Sequence, residues 1–137
     1  MIRHAIFLLI LVIMVPSLAF AQNVKKGDTA VVPDWEWVDV MNPDPIIQNF
    51  SNRTHRLKYG ETCGIEIGGT VTVVGISNDS KVLVRYTAPD DPTGTPCPSG
   101  VLFFITKEKF SEMTSEYNRI CESKQRERNL VKKLSGE

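Results

Sequence analysis

Alternating apolar residues predict a β-hairpin in the middle of the chain. Residues 69–77 and 80–86 are rich in valine and threonine, and the turn pair Asn78-Asp79 separates them. Side chains two apart along a strand point to the same face. In the second strand this places three apolar residues on one face: Val82, Val84 and Tyr86. Gly75 interrupts the first strand and predicts a β-bulge there.

Shorter strands are predicted on either side of this hairpin. Residues 101–105 are apolar at every position, which predicts the most buried strand of the sheet. Residues 29–32 and 35–41 are strand candidates at sheet edges, because the prolines beside them cannot donate to a ladder. The polar stretch 42–59 is expected to be a long, irregular excursion from the sheet.

The chain changes from strand to helix patterning at Thr106, whose hydroxyl is suited to cap a helix. Apolar residues then recur every three or four positions, which is typical of one helix face: Phe110, Met113, Tyr117, Ile120 and Cys121. This stripe lapses after Cys121 and resumes only at Leu130, Val131 and Leu134. We interpret the end of the helix as a solvated extension, with a docking helix for a partner as the alternative.

The N-terminus has the features of a secretory signal peptide. An apolar run covers residues 5–15, Arg3 precedes it, and the small-x-small triplet Ala19-Phe20-Ala21 follows it. The run is shorter than the roughly 20 residues that span a bilayer. Cleavage after Ala21 leaves 116 of the 137 residues. We therefore expect a periplasmic or secreted protein with no membrane span after cleavage.

The order of the predicted elements suggests a known architecture. A start at Lys26-Gly27-Asp28-Thr29, the hairpin at 69–86, a Pro/Gly-rich loop at 87–100 and a strand at 101–106 follow one another. This arrangement resembles the small SH3-like β-barrels of many bacterial exported proteins. The resemblance implies a mainly β fold, with a small barrel at 22–106 and a C-terminal α-helix and tail at 107–137. It also implies binding of peptidoglycan peptides or partner proteins.

The three cysteines predict one disulfide bond in an oxidising compartment. Cys63 and Cys97 enclose the hairpin and lie in loop-like segments, so they form the preferred pair, although either pairing with Cys121 remains open. Closing a loop of this size stabilises a domain by about 3 to 4 kcal/mol. We expect Cys121 to be buried beside Ile120, with pairing to another chain as the alternative.

The mature chain lacks the residue sets of common catalytic and metal sites. After cleavage it contains one histidine, His55, too few for a typical zinc site, and no C-x-x-C redox pair. Its 15 basic and 16 acidic residues nearly cancel, which argues against nucleic-acid binding. We therefore predict a non-enzymatic protein without catalytic residues, metal or cofactor.

The candidate binding residues are aromatic: Trp35, Trp37 and Tyr86. The two tryptophans share one strand face, and we favour core packing over a binding platform for them. The predicted function is protein binding or assembly in the bacterial cell envelope. The alternatives are a secreted inhibitor of an envelope-directed hydrolase, acting through loop 42–59 or 87–100, and a peptidoglycan- or glycan-binding module that uses the tryptophans.

Overall fold

A computed structural model describes residues 23–50, 53–92, 94 and 96–136 of the chain. The predicted signal peptide, residues 1–21, lies outside this part. The elements in chain order are β1 Thr29–Val31, β2 Glu36–Asp39, β3 Ile46–Phe50, β4 Arg53–Leu57, β5 Thr62–Ile65, β6 Thr70–Ile76, β7 Lys81–Thr87, β8 Leu102–Thr106 and α1 Lys107–Ser135. The protein is thus mainly β with a C-terminal helix, as the sequence predicts.

The largest sheet has four antiparallel strands in the order β1-β6-β7-β8. Its centre is the β6–β7 hairpin, which confirms the prediction from the alternating valines. The register of this pair shifts between Val73 and Gly75, which confirms the predicted bulge. The predicted apolar face is also confirmed, because Val82, Val84 and Tyr86 are completely buried.

The closed barrel that the sequence predicts is not found in the described ranges. The remaining strands form two separate ribbons, β2–β5 and β3–β4. Pro33, which lacks an N–H donor, lies between β1 and β2. Beyond β2 the chain meets the free edge of β8, where Met41 N donates to Leu102 O at 2.8 Å. The Asn42 side chain extends this contact by accepting from Leu102 N at 2.6 Å.

Two details of the strand predictions are wrong. Phe104 in β8 is about half-exposed, whereas Phe103 and Ile105 are buried, so this strand is covered on one face rather than two. The stretch 42–59 is not irregular, because most of it forms the β3–β4 hairpin. Gln48 Nε2 fastens this hairpin to the body by donating to Pro96 O at 3.0 Å.

Helix α1 begins where the sequence predicts. The Thr106 hydroxyl accepts from Lys109 N at 3.1 Å and caps the first turn, and Gly136 ends the helix in the left-handed conformation. The 29 residues of α1 span about 44 Å. Within the described part of the chain, no helix is both long and apolar enough to cross a bilayer.

Only the first half of α1 packs on the sheet. Phe110 and Met113 are the buried residues of the helix, and every residue from Cys121 to Gly136 is exposed. The second half of α1 is thus an exposed extension of the β body. The expected burial of Cys121 is wrong, because the helix has already left the body at that position.

Candidate functional site

The exposed pair Trp35 and Trp37 is the main surface feature of the β body. The two ring centroids lie 5.7 Å apart with an interplanar angle of 84°, an edge-to-face arrangement that aromatic rings favour. Trp35 is 40% exposed and Trp37 is 67% exposed. The prediction that they pack in the core is therefore wrong.

The structure beneath Trp35 explains how this ring is held. Gly64 in β5 pairs with Trp37 in β2, and the Trp35 ring lies directly over Gly64. A side chain at position 64 would overlap that ring, so the site requires glycine for close approach rather than for backbone freedom.

A disulfide bond fixes the same region. Cys63 and Cys97 are bonded, with their Cα atoms 5.1 Å apart, which confirms the preferred pairing. Cys97 N also donates to Gly64 O at 2.6 Å. The loop between β7 and β8 is therefore joined to β5 by a disulfide bond and a hydrogen bond. The two indole rings thus sit on a rigid base.

A groove of about 560 Å³ separates Trp35 from the first half of α1. Its lining residues are Pro33, Asp34, Trp35, Glu36, Thr106, Glu108, Lys109, Glu112, Met113 and Glu116. Five of them carry carboxylates, and Lys109 is the single lining cation, paired with Glu36. We call this the acidic groove. Trp37 is not part of its lining.

Tyr86 lies away from this surface. Its ring is completely buried, and its hydroxyl accepts a hydrogen bond from Glu66 N at 3.1 Å. Burial raises the pKa of this phenol above its usual value, although the hydrogen bond from Glu66 N opposes the shift. Although the sequence marked Tyr86 as a candidate binding residue, the structure places it in the core.

His55 contacts an exposed carboxylate at the β3–β4 ribbon. The His55 imidazole lies 3.5 Å from the Glu61 carboxylate on the exposed β3–β4 side of the protein. A hydrogen bond from Lys58 N lowers the pKa of Glu61, with a smaller contribution from His55. Among the described residues, no group of three or more potential metal ligands is arranged around one point.

The acidic groove was not predicted from the sequence. Part of its signal is visible in the sequence, because Glu108, Glu112 and Glu116 recur every four residues and therefore share one side of α1. The other wall, Asp34 to Glu36, is brought to the helix only by the fold. Comparisons of the chain with protein families, curated proteins and solved structures find no match.

Proposed function

We propose that this protein is an exported, non-enzymatic binding module of the bacterial cell envelope, which holds a partner protein against Trp35 and Trp37. The observation that supports the proposal is the exposure of two adjoining indole rings on a rigid base. Tryptophan is enriched at the energetic centres of protein interfaces, because its large surface can be desolvated by a partner.

The rigidity of the site favours binding. The edge-to-face contact, the close approach to Gly64 and the neighbouring disulfide restrict the rings before a partner arrives. Binding to a preorganised surface loses less conformational entropy than binding to a mobile one. The more exposed ring, Trp37, offers the larger area and is the expected anchor.

Two features support an exported location. The first is the signal-like segment 1–21, with its short apolar run and small-x-small end. The second is the Cys63–Cys97 disulfide, because such bonds persist mainly in oxidising compartments.

The proposal is tested with immobilised residues 22–137 exposed to an envelope extract of the organism that makes the protein. Wild type is compared with Trp37→Ala and with the control Tyr59→Ala, since Tyr59 has a similar exposure of 68%. We expect a defined protein to be retained by wild type and the control, and to be lost from Trp37→Ala. Equal retention by all three would overturn the proposal.

A second arm distinguishes the partner class. The same three proteins are sedimented with purified peptidoglycan in the absence of other proteins. The proposal expects no Trp37-dependent pelleting. Pelleting of wild type and Tyr59→Ala, but not of Trp37→Ala, would replace the protein partner with the cell wall.

A further inference from the structure

The outer edge of the β3–β4 ribbon is unpaired. In the described part of the chain β4 pairs with β3 alone, whereas the central strands β6 and β7 have a neighbour on each side. Four of the five residues of β4 are exposed: Arg53, Thr54, His55 and Arg56. A strand with one open side presents a row of backbone N–H and C=O groups with which another extended chain can pair. We call this side of β4 the free edge.

The strand register determines which backbone groups point outward. Phe50 pairs with Arg53 across two intervening residues, so these two residues exchange both backbone hydrogen bonds. The register continues without a shift through the whole ribbon, and hydrogen-bonded pairs alternate with non-hydrogen-bonded pairs along it. The N–H and C=O groups of Thr54 and Arg56 therefore point away from β3, toward the free edge.

A carboxylate of the chain itself lies at the C-terminal end of this edge. Glu61 accepts a hydrogen bond from Lys58 N, directly after β4, at 2.8 Å, and its carboxylate lies 3.5 Å from His55 Nε2. The backbone hydrogen bond is the main cause that lowers the pKa of Glu61 below its usual value. The surroundings of β4 thus favour an ionised carboxylate at one end and leave the outward groups of Thr54 and Arg56 for others.

The charge of the ribbon has one sign. Residues 46–58 contain Arg53, Arg56 and Lys58 but no carboxylate, and all three cations are exposed. None of the three forms an ion pair with a carboxylate within the described ranges. Arg53 and Arg56 are three positions apart and lie on opposite faces of β4, so the free edge is basic on both faces.

We propose that an extended, acidic segment of another protein adds to the free edge as a third strand of the ribbon. The backbone of this segment pairs with the outward groups of Thr54 and Arg56, and its carboxylates lie beside Arg53 and Arg56. Strand addition of this kind takes its affinity from main-chain hydrogen bonds and its specificity from the side chains on either face.

The free edge selects this occupant over other partners. Phosphate groups of nucleic acids or lipids can neutralise the cations, but they offer no alternating donors and acceptors to the backbone of Thr54 and Arg56. A second copy of β4 offers such a backbone, but it brings a second set of arginines to the same ribbon, and like charges on neighbouring strands are unfavourable. An acidic polypeptide satisfies both the backbone and the charge.

The surroundings of the ribbon leave this side open. On the β3 side, Gln48 Nε2 donates to Pro96 O at 3.0 Å, so β3 lies against the loop before β8. On the β4 side there is an open hollow of about 460 Å³. Its lining residues are His55, Leu57, Gly60, Glu61 and Thr62. A third strand can therefore approach β4 and not β3.

The test is an NMR titration of ¹⁵N-labelled residues 22–137 with a synthetic peptide. The peptide has eight residues, is blocked at both ends and repeats two glutamates and two threonines, so both faces of its extended form carry carboxylates. We expect saturable shifts in β4 and slower hydrogen exchange of the Thr54 and Arg56 amides, because these gain hydrogen-bond acceptors. Exchange of the Arg53 and His55 amides, which already bond to β3, should change little.

Charge reversal tests the contribution of the cations. The variant Arg53→Glu with Arg56→Glu is expected to weaken peptide binding roughly tenfold or more, because two attractions become repulsions. The matched control is Lys81→Glu with Arg85→Glu, which reverses two exposed charges on β7, a strand with a neighbour on each side. The control should bind within about twofold of wild type. Equal losses in the two variants would overturn the proposal.

A second peptide separates strand addition from charge attraction and needs no variant of the protein. It has the same sequence with every backbone nitrogen methylated, so it keeps its carboxylates and loses its backbone donors. We expect it to bind at least about tenfold more weakly and to leave the exchange of Thr54 and Arg56 unchanged. The proposal is overturned if both peptides bind equally, or if the unmodified peptide does not bind at millimolar concentration.

A third arm tests a membrane as the occupant. Wild type and the Arg53→Glu, Arg56→Glu variant are sedimented with vesicles of phosphatidylglycerol and phosphatidylcholine. The proposal expects no difference between them. Pelleting of wild type alone, without protection of Thr54 and Arg56 by the peptide, would replace the acidic segment with a lipid surface.

The free edge is separate from the surface around Trp37. Trp37 lies in the β2–β5 ribbon, and the free edge belongs to the β3–β4 ribbon. Trp37→Ala should therefore lose the envelope protein and still bind the acidic peptide. The variant Arg53→Glu with Arg56→Glu should lose the peptide and keep Trp37-dependent retention. Failure of one proposal is therefore distinguishable from failure of the other.

Discussion

The hydroxyl of Tyr86 joins β7 to the segment that follows β5 through its hydrogen bond from Glu66 N. Tyr86→Phe removes the hydroxyl, so the buried N–H of Glu66 loses this hydrogen-bond acceptor. We expect the free energy of unfolding at neutral pH, measured by urea denaturation, to fall by about 1 to 3 kcal/mol. The control Tyr59→Phe alters an exposed ring and should change it by less than about 0.5 kcal/mol. Equal effects would contradict the structural role of Tyr86.

The raised pKa of Tyr86 adds a pH dependence to this prediction. The folded protein favours the neutral phenol, whereas the unfolded chain releases the proton near the usual value of 10.0. The stabilisation by neutral Tyr86 is therefore complete below that pH and is lost as the pH rises toward the folded pKa. The difference between wild type and Tyr86→Phe should shrink above pH 10. A difference that grows with pH would contradict the raised pKa of Tyr86 in the folded protein.

Gly64 provides a second test at the residue scale. Gly64→Ala places a methyl group where the Trp35 ring lies, so the ring must move or the strand must shift. We expect a loss of about 1 to 3 kcal/mol in the free energy of unfolding and a red shift of tryptophan fluorescence. Gly75→Ala is the control, because its nearest neighbour, Leu83 Cβ, would be at an ordinary 3.7 Å. The packing argument would be refuted by an unchanged spectrum in Gly64→Ala.

Single residues also show which strand faces the sequence can predict to be buried. The alternation of Val82, Val84 and Tyr86 predicts a buried face correctly, because a whole strand shares the pattern. Trp35 and Trp37 share a face in the same way, but alternation does not reveal whether another layer covers that face. The structure leaves it uncovered, since β2 belongs to a two-stranded ribbon.

At the scale of elements, the Cys63–Cys97 disulfide links β5 to the loop before β8 across 34 positions of sequence. Cys63→Ala with Cys97→Ala should lower the free energy of unfolding by about 3 to 4 kcal/mol, because the unfolded chain regains the entropy of the open loop. Denaturant titration measures this loss, and Cys121→Ser serves as the control because that thiol is exposed and lies outside the disulfide. A double alanine variant as stable as wild type would contradict the prediction.

The elements that the sequence predicts poorly lack a one-sided apolar pattern. β4 exposes four of its five residues, so its polar sequence shows no buried face. β8 is apolar on both faces although only one is covered, and Phe104 remains exposed. The Thr106 cap was predictable, because it depends on a local side-chain hydrogen bond rather than on tertiary contacts. The closed barrel was predicted wrongly, since closure depends on pairing between distant strands, which local patterns do not reveal.

At the largest scale, the described part of the chain consists of a β body and a helix that extends beyond it. The lapse of the apolar pattern after Cys121 is visible in the sequence, but the structure shows which half of α1 the body covers. Phe110 and Met113 anchor the first half, and the second half projects with its basic and apolar side chains exposed. Isolated helices of this length are marginally stable in water, so the projecting half contributes little to the stability of the body.

Two truncations test this division. A chain that ends at Ile120 keeps both anchors, and residues 121–136 are all exposed, so its free energy of unfolding at high dilution should stay within about 1 kcal/mol of wild type. A chain that ends at Thr106 exposes the surface that Phe110 and Met113 cover, and should lose about 3 to 6 kcal/mol. Chemical denaturation measures both values. If the chain that ends at Ile120 lost as much free energy of unfolding as the chain that ends at Thr106, the second half of α1 would have to be part of the folded body. If truncation at Ile120 has a small effect, the first half of α1 suffices as the anchor on the β body.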